Sequence, residues 1–207
     1  MSAIDRLAAS LGRRDEVPNQ ELAKELREKN DTAGIGEIAV HLFDKDKNIA
    51  NDCIKTLYEI GYAAPALIAE YSDSYVKLLK SKNNRMVWGA MIALSTIAAI
   101  RADELYPHTN LFAELLNTGS VITVDGAVRV LAGIAAGKAE YARKIFPILF
   151  DLLKTTRPKS VPQYCESILP AVSPEFRDEF IRALRSREND LSPTQSARVD
   201  KAIKKLG

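Results

Sequence analysis

Leucine pairs return at a fixed interval along this chain. Leu78-Leu79, Leu115-Leu116 and Leu152-Leu153 stand 37 residues apart, and Leu42 lies the same distance before Leu79. A second series follows about fifteen residues later. It contains Leu57, Leu94 and Leu131, with Leu169 placed 38 residues after the last. Three residues beyond each stand Ile60, Ile97, Ile134 and Val172, and four residues before each stand Cys53, Ala90, Ala127 and Cys165. A small residue, then Leu, then Ile or Val at i, i+4 and i+7 is one stripe on one face of a helix.

Each unit therefore predicts two helices, the first ending at the leucine pair and the second carrying the stripe. Short polar breaks at 44–48, 81–84, 117–120 and 155–160 separate them. The only β-branched cluster, Val121 to Val124, opens a segment that continues on the helical stripe. One such unit cannot cover its own apolar face, so neighbours must stack. The expected fold class is all-α: a right-handed α-α superhelix, or solenoid, of two-helix repeats with a period of about 37 and roughly twelve helices. The small residue of each stripe is where neighbouring helices are expected to approach most closely.

The segment NNRMVWGAMIALSTIA resembles the second helix of a HEAT repeat. KIFPILFDLL resembles a HEAT first helix, with Pro147 where that helix is often kinked. The chain thus looks like a HEAT/Armadillo-like helical repeat protein over about 45–175. Asp125 matches the recurrent aspartate of that family, whereas Trp88 and Asn51 fill the equivalent places in their repeats. The expected organisation is a single array: capping helices at 1–30, four repeats at 31–172 and capping helices at 173–207. Ile4, Leu7, Ala8 and Leu11 predict a first short amphipathic helix, and Leu22, Ala23 and Leu26 a second. Ser173-Pro174 and Ser192-Pro193 are helix-start signals near the other end.

Composition narrows the function. Hydrophobic residues make up 46% of the 207, enough for a continuous core. Lys and Arg number 29 against 27 Asp and Glu, so the net charge of +2 supplies no global field for nucleic acid or anionic lipid. No apolar run approaches the length of a membrane span, and the first ten residues lack a secretory signal, so a cytoplasmic setting is expected. The two cysteines lie in apolar periodic segments and are expected to be core. His41 and His108 are the only histidines, with no metal-ligand spacing and no phosphate-binding glycine motif nearby. The His-Glu pairs of HEAT-like deoxyhypusine hydroxylases are absent. No catalytic residue, metal or cofactor is expected.

The resemblance implies that the second helices line a concave face. Two positions of register is about 200° of rotation, so residues two before or after the small core residue lie off the core stripe. These include Asn51, Trp88 and Asp125 on one side and Lys55 and Arg129 on the other, with Arg85 five before. Trp and Arg are enriched at binding hot spots. These six residues are the candidate partner-binding set, and the expected function is a non-catalytic protein–protein interaction scaffold, monomeric, with an unidentified protein partner. Trp88 packed sideways between helices is the structural alternative. The functional alternatives are a DNA-repair solenoid similar to the alkylpurine DNA glycosylases, disfavoured by the single Trp and the charge balance, and an accessory subunit of a cofactor-attaching lyase. Arg182, Arg185 and Arg187 sit beside acidic residues and are expected to form a solvated face.

Overall fold

The computed structural model describes residues 2–206. Every regular element among them is helical, and the chain divides into two compact units, Met1–Arg101 and Ala102–Gly207. The first unit holds α1 (Val17–Glu28), α2 (Thr32–Val40), α3 (Lys47–Ala63), α4 (Ser72–Leu78) and α5 (Asn84–Ile97). The second holds the single turn α6 (Ala102–Leu105), then α7 (Thr109–Thr118), α8 (Val121–Gly137), α9 (Ala139–Thr155), α10 (Val161–Ile168), α11 (Arg177–Arg185) and α12 (Pro193–Ile203). Twelve helices among the described residues match the number read from the pattern.

Within the first unit α3 packs between α1 and α5, and α4 packs on α5. Within the second, α8 packs against α7, α9 and α10, while α12 lies on α10 and α11 on α9. Within each unit the long second helices thus sit side by side, α3 with α5 and α8 with α10. The 37-residue register explains why. Cys53, Ala90, Ala127 and Cys165 are all fully buried, as are Leu57, Leu94, Leu131, Ile60, Ile97 and Ile134. The leucines that close the first helices, Leu42, Leu79, Leu116 and Leu153, are buried too.

The register slips at the fourth repeat. Leu169 is half-buried and begins a 3-10 turn, Leu169–Ala171, whereas Ile168, 37 residues after Leu131, is fully buried. Pro170 tightens the backbone there, so the strict period, not the leucine, points inward. The register also runs further than expected. Ala202, 37 residues after Cys165, is buried on α12, so the terminal helix continues the stack.

The polar breaks act as helix starts. Asp46 accepts the Asn48 N–H at 2.8 Å, Asn83 accepts that of Arg85 at 3.0 Å, and Ser120 caps α8 through Thr123. Ser192 and Gln195 form a reciprocal capping box at α12. Asn30, in the left-handed region at φ 50°, closes α1, and Asp31 at once caps α2 through Gly34. In the second unit α9 runs through Pro147, which faces solvent. Its other face carries Phe146 and Phe150, stacked at 5.2 Å, which meet Phe176 and Phe180 at 4.7 and 5.8 Å.

The first amphipathic helix does not form. Ile4–Arg6 is a 3-10 turn, followed by hydrogen-bonded turns. Leu7 and Ala8 are buried but Leu11 is 52% exposed. The reason lies in where the backbone donors go. The Ala8 N–H is accepted by the Asn19 side chain at 2.9 Å and the Ala9 N–H by Asp52 at 2.8 Å. Those partners replace a helical ladder, and Gly12 at φ 69° ends the segment where other residues would be strained.

Close approach of α5 to α3 is marked by Gly89. A Cβ there would stand 2.9 Å from Cγ1 of the buried Ile54, so α5 lies directly on α3. Replacing Gly89 by Leu is expected to destabilise the fold by about 1–3 kcal/mol, because overpacking outweighs the gain of up to about 1 kcal/mol in helix propensity. Urea denaturation at constant slope is the check; unchanged stability would contradict the close approach.

Candidate functional site

The structure gathers four of the six candidate residues on one part of the first unit. Asn51 and Lys55 belong to α3, Arg85 and Trp88 to α5. Because α3 and α5 start after equivalent polar breaks, the same end of each faces the same side. Asn83, which caps α5, donates from Nδ2 to Asn51 Oδ1 at 2.9 Å and ties the two helix starts together.

A residue absent from the expected set joins them. Glu16, in the non-helical segment before α1, puts one carboxylate oxygen 2.8 Å from Lys55 Nζ and the other 3.1 Å from Arg85 Nη2. Lys55 also pairs with Glu59 at 2.6 Å, one helical turn along α3. The Lys55 side chain is only 7% exposed. Burial alone would lower its pKa, but the carboxylates of Glu16 and Glu59 overcome that and hold the ammonium charged above its ordinary range. The Lys55 charge is thus engaged inside the chain. Register placed Lys55 away from the core stripe, and it is off that stripe; α1 and the segment before it cover that face of α3.

Aromatic rings extend the cluster. Lys55 Nζ stands 4.9 Å over the Tyr58 ring, and Tyr58 meets Trp88 at 6.1 Å and Tyr62 at 5.9 Å. Trp88 is half-buried and Tyr62 is 56% exposed. Trp88 therefore packs on one neighbour while keeping part of its ring open. At the start of α5, one turn before Trp88, Arg85 lines a cleft of about 550 Å3, with Ala8, Ala9 and the 12–16 segment on one wall and Asp46, Asn48, Asn51 and Asp52 beside Arg85 on the other. Arg13 closes on Asp15 through two bonds at 2.9 and 2.8 Å.

Asp125 and Arg129 lie on α8 in the second unit. Arg129 is exposed and donates from Nε to the Asp125 carbonyl at 3.3 Å. Asp125 is half-buried. The phenol of Tyr164 is raised in pKa by burial and by the nearby Asp125 carboxylate. Next to them is a shallower cleft of about 270 Å3 that includes Val121, Val124, Arg157 and Tyr164.

The histidines and cysteines behave as side chains of the fold. His41 Nδ1 pairs with Asp44 at 2.7 Å. Cys53 and Cys165 are free and buried. Burial pushes both thiols up, Cys165 to about 12. No group of three or more His, Cys, Asp or Glu side chains among the described residues is placed to hold a metal ion. Arg187, expected on a solvated face, is buried: its Nη1 donates to the Leu153 carbonyl at 2.7 Å and its Nε to Asp190 at 2.8 Å, so it caps the end of α9. Basic side chains near a helix C-terminus are the signal that would have found it.

Comparison with solved structures bears on the fold. An engineered protein matches with a TM-score of 0.66 at 20% identity, covering 100% of this chain and 98% of that one. Computationally designed armadillo repeat proteins for modular peptide recognition match at 0.63 and 17%, over 98% and 97%. A designed armadillo repeat protein in complex with the peptide (KR)4 matches at 0.66 and 16%, over 91% and 87%. The chain is an α-helical repeat protein. No protein-family model matches it, and no curated protein does. No helix of the described residues is long and apolar enough to cross a membrane.

Two outcomes test this account of the repeat's side chains. At about pH 8 neither cysteine should react with a thiol reagent in the native protein, while both react once it is denatured. Lys55→Met should destabilise the fold by about 1–3 kcal/mol by leaving Glu16 and Glu59 facing each other, and adding Glu59→Gln should recover part of that in chemical denaturation.

Proposed function

We propose that this repeat protein is a non-catalytic scaffold that binds a segment of a protein partner on the face where α3 and α5 carry Asn51, Arg85 and Trp88. The observation that carries the reading is the half-open Trp88 ring one helical turn from Arg85, which lines a polar cleft with Asn48 and Asn51. An aromatic side chain and an arginine on one helix are residue types enriched at binding hot spots. The cleft offers side-chain amides from Asn51 and Asn48 to an extended backbone. Solved repeat proteins of this fold include designs for peptide recognition and one bound to a peptide, which supports the kind of partner. Asp125 and Arg129, on α8 of the second unit, are proposed as partner-binding residues of that unit.

The protein is proposed to work as a monomer, without a cofactor, in the cytoplasm. The buried free thiols suit a reducing compartment.

Trp88 decides the reading. Trp88→Ala should cost about 2 kcal/mol or more of partner binding while leaving the melting temperature nearly unchanged. A fold destabilised by roughly 3–5 kcal/mol would instead make Trp88 a packing residue and remove it from the surface. The binding arm uses affinity capture from the native cell with the wild-type and Trp88→Ala proteins side by side. A partner retained equally by both would overturn the assignment of this face.

A further inference from the structure

Asn19 Nδ2, the Tyr75 hydroxyl and Arg85 Nε are buried polar groups of the first unit without a hydrogen-bond partner, and of these residues Arg85 lines the cleft. Arg85 Nε is buried and has no hydrogen-bond partner, although Nη2 of the same guanidinium pairs with Glu16 at 3.1 Å. A guanidinium presents Nε and one Nη as a fork that matches the two oxygens of a carboxylate. Glu16 cannot fill that fork, because its two oxygens are divided between Arg85 and Lys55. Lys55 does not depend on Glu16 alone, since Glu59 holds it at 2.6 Å. Glu16 itself is 45% exposed and sits on a segment that is neither helix nor strand. Its link to the 37%-exposed Arg85 is an ion pair of the weak, solvent-screened kind.

We infer that Arg85 is a receptor for an acidic side chain of the bound segment, and that Glu16 is an intrachain carboxylate occupying this position until the partner displaces it. The inference rests on the scaffold reading above and names the partner's chemistry. An incoming Asp or Glu carboxylate takes Nε and Nη2 together, satisfies the buried donor, and leaves Lys55 to Glu59. Arg14, exposed on the wall of the same cleft, adds a second cation on the approach. The other acids lining the cleft are already engaged: Asp15 with Arg13, Asp46 with the Asn48 N–H, and Asp52 with the Ala9 N–H. Glu16 thereby raises the threshold for binding, so that only a segment with a correctly placed carboxylate competes.

The test uses fluorescence anisotropy on the full chain at low salt. The probes are a labelled octapeptide of alternating glutamate and serine and its lysine–serine counterpart. Glu16→Gln should bind the acidic peptide roughly threefold to tenfold more tightly than wild type, the size of one exposed ion pair. Adding Arg85→Gln should abolish that gain, and Glu179→Gln, the same charge change on α11, should leave affinity unaltered. If Glu16→Gln does not fold, Glu16→Asp, too short to bridge both cations, replaces it with the same expected direction. No gain from either variant, or an equal gain from Glu179→Gln, overturns the inference. Binding of the lysine–serine peptide alone, weakened by Trp88→Ala, also overturns it but leaves the scaffold reading standing. Failure of every variant to bind either peptide removes both.

Discussion

Close approach of successive second helices within each unit is the constraint on which the rest depends. Two helices whose facing side chains are large keep about 10 Å between axes; small residues let them come nearer. Cys53, Ala90, Ala127, Cys165 and Ala202 supply that position along the chain, and all are buried. At Gly89 even a methyl group would meet Ile54. Once these contacts set the spacing, the leucine four residues on and the isoleucine three beyond it fall into the same core layer. The first helices then close the other side through Leu42, Leu79, Leu116 and Leu153. Stability in such a stack is a sum of neighbour contacts, which explains why one small position recurs so regularly.

Within the first unit the same spacing aligns the starts of the second helices. Asp46 and Asn83 each cap the helix that follows, so polar side chains collect along one edge there, while Ser120 caps α8 in the second unit. In the first unit this edge gathers Asn51, Asn83 and Arg85 next to the segment that carries Glu16. A charged or amide-rich surface is thus a by-product of the capping requirement. Unfilled backbone donors at each helix start demand Asp, Asn or Ser, and the repeat brings those residues side by side.

The periodic part of this architecture was legible because burial repeats with the helix. Cys53 and Leu57 predict one another through i+4, and each predicts its counterpart 37 residues on. What escaped was whatever depended on contacts across sequence. The segment from Ile4 to Leu11 has helical spacing, yet its N–H groups are accepted by Asn19 and Asp52, 11 and 43 residues away. No local pattern announces that. Likewise the RRDE run at 13–16 looks like a solvated break, and only its fold against α3 and α5 places Glu16 on Lys55 and Arg85. Leu169 misled because residue type was followed where spacing was the better guide. Register placed Trp88 off the core stripe, but it could not show that Tyr58 would cover part of its ring.

Three cations of this chain separate structural from binding roles by a single criterion, whether their donors are met from within. Arg187 gives one nitrogen to the Leu153 carbonyl and another to Asp190, and it is buried; its charge completes the end of α9. Lys55 is equally buried and has two carboxylates, so desolvation is repaid inside the fold. Arg85 differs in both respects. It is more than a third exposed on its side chain, and its Nε remains buried without an acceptor. An orphaned donor of this kind costs about 1–3 kcal/mol in a folded protein. A purely structural arginine at this position would have gained by turning that nitrogen toward the Glu16 oxygen now on Lys55. The fold instead holds the guanidinium with its fork half-filled at the mouth of a cleft. That arrangement is inefficient for stability and suited to a ligand that brings its own carboxylate.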